Sequence, residues 1–121
     1  MPFLYSAKGL NVRPLARVFK ALGDETRLRI LALLGNHDLC VSHIADAIGL
    51  SQPAASRHLS VLRGAGLVDT RRRGRWIWYT VTQPTDMTAQ KVITDVVERF
   101  SDHELKRDLI KMAKANGPAL P

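Results

Sequence analysis

A mainly α-helical fold carrying one small β-hairpin is what this sequence of 121 residues predicts, and three observations predict it. Between residues 39 and 81 an apolar stripe of helical period ends at Gly49, and Ser51, Gln52 and Pro53 open a second one. A serine oxygen caps free helix amides and proline is tolerated in the first turn, so this is helix, turn, helix. Beyond Gly64 and Gly66, residues 67–69 begin a strand and residues 76–81, rich in aromatic and β-branched side chains, form another, with Gly74 permitting a tight turn between them. Finally, residues 57–75 carry +5 of the chain's net charge of +7. Helix, turn, helix and basic hairpin together make a winged helix-turn-helix.

Composition sets the frame. Hydrophobic residues make up 45% and charged residues 24%, ordinary values for a globular chain. A single domain over residues 1–121 is expected, with core and wing in 12–82 and dimerisation elements in 1–22 and 86–115. No window approaches the roughly 18 apolar residues that span a bilayer, and the first eight residues have no basic leader. The expectation is a cytoplasmic protein without membrane partners. Cys40 is the sole cysteine, so no internal disulfide can form. No nucleophile with a base, no paired carboxylates in a defined site and no phosphate-cradling glycine loop occurs, which argues against an enzyme.

In chain order, residues 1–11 show no period and read as an arm. Pro14 opens a first helix with Leu15, Val18, Phe19 and Leu22 at helical spacing, and Gly23 stops it. Asp24 caps a second helix whose Leu28, Ile30, Leu31, Leu33 and Leu34 are apolar nearly all round, as befits the centre of the core. These two helices are expected to support the reader without touching DNA. A third starts near Leu39 and turns Val41, Ile44, Ala45 and Ile48 inward, leaving Ser42, His43 and Asp46 elsewhere. Past Pro84, Val92, Ile93, Val96, Val97 and Phe100 define another helix, and Ser101 with Glu104 makes a capping box for a last one. These terminal stripes exceed what a small domain needs to cover itself, so a second subunit is expected to pair with them.

The fourth helix turns Ala55, Leu59 and Leu62 inward and sets Gln52, Ser56 and Ser60 on the opposite side, with Arg57 beside them. A groove-reading helix needs side chains that reach base edges, which Gln52 and Arg57 supply, and short ones that allow close approach, which Ala54 and Ser56 supply. Ser51 completes the candidate reading set. Arg71, Arg72, Arg73 and Arg75 are expected at the hairpin tip, where guanidinium groups follow phosphates or enter the minor groove. Trp76 and Trp78 share one strand face and are expected to cover the core, with Ile77 and Tyr79 on the other. The implied partner is double-stranded operator DNA. Diversion of the same architecture to protein or RNA contact is the alternative.

The motifs FKALGDETRLRILALL, SQPAASRHLSVLRGAGLV and GRWIWYTV, within about residues 15–82, make the chain resemble the ArsR/SmtB family of winged-helix repressors. The resemblance implies a homodimer built from the first and last helices. It also implies operator binding without effector and release when a metal ion, metalloid or other signal binds. Gln52, Ser56 and Arg57 would lie in the major groove. Arsenic-responding members carry a Cys-x-Cys pair on the third helix; here the positions read Cys40, Ser42 and Ala45. One thiol with a hydroxyl is a poor site for a thiophilic centre. The zinc-type site of other members needs histidine on the last long helix, and residues 88–100 hold none. A local alternative is His37, Cys40 and His43, spaced three apart, a nitrogen and thiolate set that suits zinc, nickel or copper. Against it stands a buried Cys40 flanked by solvent-facing histidines. No cofactor is required; a metalloid or transition-metal effector is the conditional expectation.

Overall fold

The computed structural model describes residues 11–35 and 37–100. The arm before Asn11, the capping box of Ser101 and Glu104, His103 and the later part of the 86–115 element lie outside them. The order of elements is α1 (Arg13–Leu22), α2 (Glu25–Leu34), β1 (Leu39–Cys40), α3 (Val41–Ile48), α4 (Gln52–Gly64), β2 (Val68–Arg73), β3 (Trp76–Val81) and α5 (Met87–Arg99).

The helix boundaries follow from caps. Pro14 lies in the first turn of α1. Asp24 Oδ1 accepts the Arg27 amide at 3.0 Å and opens α2, and Asp86 Oδ1 accepts the Ala89 amide at 2.9 Å and opens α5. Arg27 then ties three elements together. Its Nε donates to the Ala21 carbonyl at 2.6 Å and its Nη2 to the Lys20 carbonyl at 3.3 Å, filling orphan acceptors at the end of α1. Its Nη1 lies 3.4 Å from His58 Nδ1 on α4.

The core is centred on α2. Ile30, Leu31, Leu33 and Leu34 are buried together with Val18, Leu22, Ile44, Leu59, Leu62, Leu67 and Ile93. The helix packs against α1, α3, α4, α5 and β3, which is why its sequence is apolar nearly all round.

The sheet differs from expectation. It has three antiparallel strands in the order β1-β3-β2. Leu39 and Cys40, assigned from sequence to the start of α3, instead pair with Tyr79 and Trp78. Two residues are too few to carry a period, and their pairing is made across nearly forty residues of chain. The faces differ too. Leu39, Val68, Tyr79 and Val81 face the main core, whereas Trp78 is buried on the opposite face, ringed by Cys40 and His43. Arg71, Arg72 and Arg73 are not at the tip but paired within β2; the loop is Gly74 and Arg75 alone. Gly74 at φ 62° supplies the positive angle that a two-residue turn needs at its first position.

The Arg27 amide, then the Arg27 and His58 charges, hold the Asp24 carboxyl below its ordinary value of 3.8. A carboxyl depressed on folding stabilises above the unfolded value and loses that contribution as pH falls through the folded one. Asp24→Asn keeps the capping oxygen and removes the titration. We predict that urea midpoints of the variant fall less steeply than those of wild type below about pH 4, the two converging at the acid end.

Candidate nucleic-acid interface

The turn before α4 is made by Gly49 at φ 82°, with the Gly49 and Leu50 amides both donating to the Ala45 carbonyl at 2.9 Å. Ser51 Oγ then accepts the Ala54 amide at 3.2 Å and starts α4. Ala55, Leu59 and Leu62 are buried, which fixes the rotation of the helix and leaves Ser51, Gln52, Ser56, Arg57 and Ser60 exposed, with Ala54 half-buried. Among the described residues Gln52, Ser56 and Arg57 have no side-chain hydrogen-bond partner, so their donors and acceptors face solvent. His58 is half-buried, 4.0 Å from Asp24 Oδ1, on the flank toward α2.

On the wing all four arginines are exposed. They differ in what they touch. Arg73 Nη2 meets Asp38 Oδ2 at 3.0 Å and its guanidinium lies 5.4 Å from the Trp78 ring centre. Arg75 stacks 5.3 Å from the Trp76 ring, and Arg72 Nε donates to the Gly74 carbonyl at 3.1 Å. Arg71 is unengaged among the described residues. Strand alternation sends Arg71 and Arg73 to the Trp78 face and Arg72 to the other. Asp38 was not singled out from sequence, and no local pattern marks it, because its partner lies 35 residues away.

The candidate effector set is arranged otherwise than expected. His37 is exposed, but His43 is fully buried, not solvent-facing. Its Nδ1 accepts the Cys40 amide at 3.0 Å, so it closes the first turn of α3, and its ring lies 5.7 Å from that of Trp78. The spacing of Cys40 and His43, from N-cap to third helical position, is that of a capping box, the signal that would have placed it. An imidazole accepting at Nδ1 carries its proton on Nε2; a ring ligating through Nε2 needs the reverse and would lose the cap. Cys40 is buried, and desolvation raises its thiol above 9.0 against a smaller opposing effect of Arg73. These residues therefore do not fit a preformed metal site. Among the described residues no three His, Cys, Asp or Glu side chains gather closely enough to hold an ion. Ser42 Oγ is buried and has no hydrogen-bond partner there.

Comparison with known proteins matches this arrangement to one group. The profile described as "Bacterial regulatory protein, arsR family" matches residues 24–70, from the Asp24 cap to the third residue of β2. An arsenic resistance transcriptional regulator of Pseudomonas putida is 36% identical over 80% of this chain and 76% of its own length. The arsenical resistance operon repressor of Escherichia coli is 37% identical over 83% of this chain and 86% of its own. Among solved structures, a homodimeric winged helix-turn-helix DNA-binding domain of Mycobacterium bovis, described as a possible ArsR-family regulator, superposes with a TM-score of 0.62 at 33% identity. It covers 76% of this chain and 82% of that one. With its winged helix-turn-helix and this likeness along most of its length, the chain belongs to the ArsR family of transcriptional regulators, which are DNA-binding proteins and not enzymes.

Proposed function

We propose that the protein is a homodimeric, sequence-specific repressor that inserts α4 into the major groove of operator DNA and lays its wing along the backbone. The observation that carries this is the exposed, unengaged polar face of Gln52, Ser56 and Arg57 beside a strand of exposed arginines. A solvated helix face ordinarily carries glutamate and lysine; α4 has neither. Dimerisation draws support from apolar side chains left exposed on the terminal helices, Val12 at 60%, Phe19 at 50% and Met87 at 82%, and from the dimeric structural relative. Two readers on one axis suit a palindromic site.

The release signal has two readings. A thiol-directed signal would act on Cys40. A small apolar ligand is favoured by a cavity of about 440 Å³ lined by Leu28, Ala32, Ala47, Ile48 and Phe100, with the paired Glu25 and Arg29 at its edge. A metal or metalloid held by His37, Cys40 and His43 is disfavoured by the His43 cap.

Titration of duplexes carrying the palindrome from the protein's own promoter tests the main reading. Wild type is expected to bind with steep salt dependence and to prefer the palindrome over scrambled sequence. Gln52→Ala should relax discrimination at one base step by about 1–3 kcal/mol. Arg71→Ala and Arg72→Ala should instead weaken binding to every sequence and lower the log–log salt slope by about 0.9 per lost phosphate contact. Equal, salt-insensitive affinity for all duplexes would sink the proposal.

For the signal, operator release is to be screened with thiophilic agents and small apolar compounds on wild type and Cys40→Ser. The buried, raised thiol is expected to react with an aromatic disulfide at neutral pH far more slowly than in urea. Release unaltered by Cys40→Ser for every inducer eliminates the thiol reading.

A further inference from the structure

The helix assigned from sequence to support and dimerisation carries a second surface. Around α1 the side chains fall into three sectors about 120° apart at 100° per residue. Val18, Ala21 and Leu22 enter the core. Val12 and Phe19 are apolar and exposed. Arg13, Arg17 and Lys20, at i, i+4 and i+7, form an exposed basic stripe, and α1 contains no carboxylate to offset it.

That stripe borders α4. Arg17 and Lys20 line an open groove of about 380 Å³ with Arg27 on one side and Ser60, Val61 and Gly64 of α4 on the other. Among the described residues no carboxylate lines it. Arg27 is committed to the α1 carbonyls and the His58 ring, whereas the charged ends of Arg17 and Lys20 are unengaged among the described residues. Ser60 and Val61 follow Ser56 and Arg57 one turn on, so the groove continues the exposed face of the reading helix.

We propose that this groove binds the DNA sugar-phosphate backbone flanking each half-site, with Arg17 and Lys20 as the phosphate contacts and exposed Val61 against the sugar. The proposal rests on the operator-binding reading and extends its footprint beyond the bases that α4 reads. Charge complementarity selects a polyanion, and continuity with the reading face selects the same duplex. Because the apolar sector of α1 lies elsewhere on the helix, a partner subunit on Val12 and Phe19 leaves the basic stripe open.

The test compares the palindrome alone with the palindrome extended by about ten base pairs, one turn, on each side. Wild type is expected to bind the long duplex more tightly and with a steeper salt slope. Arg17→Ala/Lys20→Ala should lose that gain, its affinity for the long duplex falling on the order of tenfold to a hundredfold and its slope by up to about 4, for two contacts on each of two subunits. Its binding to the short duplex and its thermal midpoint should stay near wild type. Lys91→Ala/Arg99→Ala removes equal charge from exposed positions outside the groove and should keep the gain. A long-duplex gain retained by the Arg17/Lys20 variant, or lost equally in the control, overturns this proposal alone. Failure of wild type to bind either duplex overturns it together with the operator reading.

Discussion

The constraint on which the rest depends is the burial of the second half of α2, from Ile30 to Leu34, around its whole circumference. A ten-residue helix with Ile30, Leu31, Leu33 and Leu34 removed from water needs neighbours around its whole circumference, and α1, α3, α4, α5 and β3 are those neighbours. Their mutual spacing is set by the volumes of the side chains on one helix, since interiors pack without slack. The angle between α3 and α4, and hence the rotation that presents Gln52, Ser56 and Arg57, is a consequence of that packing and of Gly49, not of those exposed residues themselves. The outer face of α4 can thus carry short polar side chains, because the inward Ala55, Leu59 and Leu62 already hold the helix.

Much of this was legible because its causes are local. The Asp24 and Ser51 caps, the Gly49 turn and the inward stripes of α2 and α4 each depend on residues within four positions of one another, and the sequence displays such spacings directly. What escaped was non-local. Nothing near Leu39 announces that its backbone will pair with Tyr79. Without knowledge of β1, the face of the hairpin turned to the core can be inferred only from bulk, and bulk favours tryptophan. The structure sends Tyr79 and Val81 to the main core instead, because Trp78 has its own buried neighbours on the far side. His43 was misplaced for a different reason. Its spacing from Cys40 is a capping-box spacing, but a histidine and a cysteine three apart also read as ligands, and only the acceptor geometry at Nδ1 separates the two.

Charge tells a similar story of partial legibility. The arginine excess between residues 57 and 75 stood out because it is dense. The α1 stripe did not, because Arg13, Arg17 and Lys20 are diluted by apolar residues and become a surface only when wound at 3.6 residues per turn beside α4. Helix α1 divides its circumference among core, exposed apolar and exposed basic sectors, so the three surfaces do not compete for the same positions.

The small cluster on the outer face of the sheet joins the helix-turn-helix to the hairpin. Cys40 stands opposite Trp78 in the ladder, His43 packs on that indole and caps the helix Cys40 precedes, and Arg73 lies over the same ring while bound to Asp38. A close-packed set has no room for added atoms. Any group attached to the Cys40 sulfur must therefore displace the indole, or the Cys40 backbone that holds both β1 and the first turn of α3. Displacing the indole moves a strand whose partner carries Arg71 and Arg73, and displacing the backbone moves the helix that orients α4 through Gly49. The Cys40 thiol thus lies where a change in volume reaches both the β2–β3 hairpin and α3.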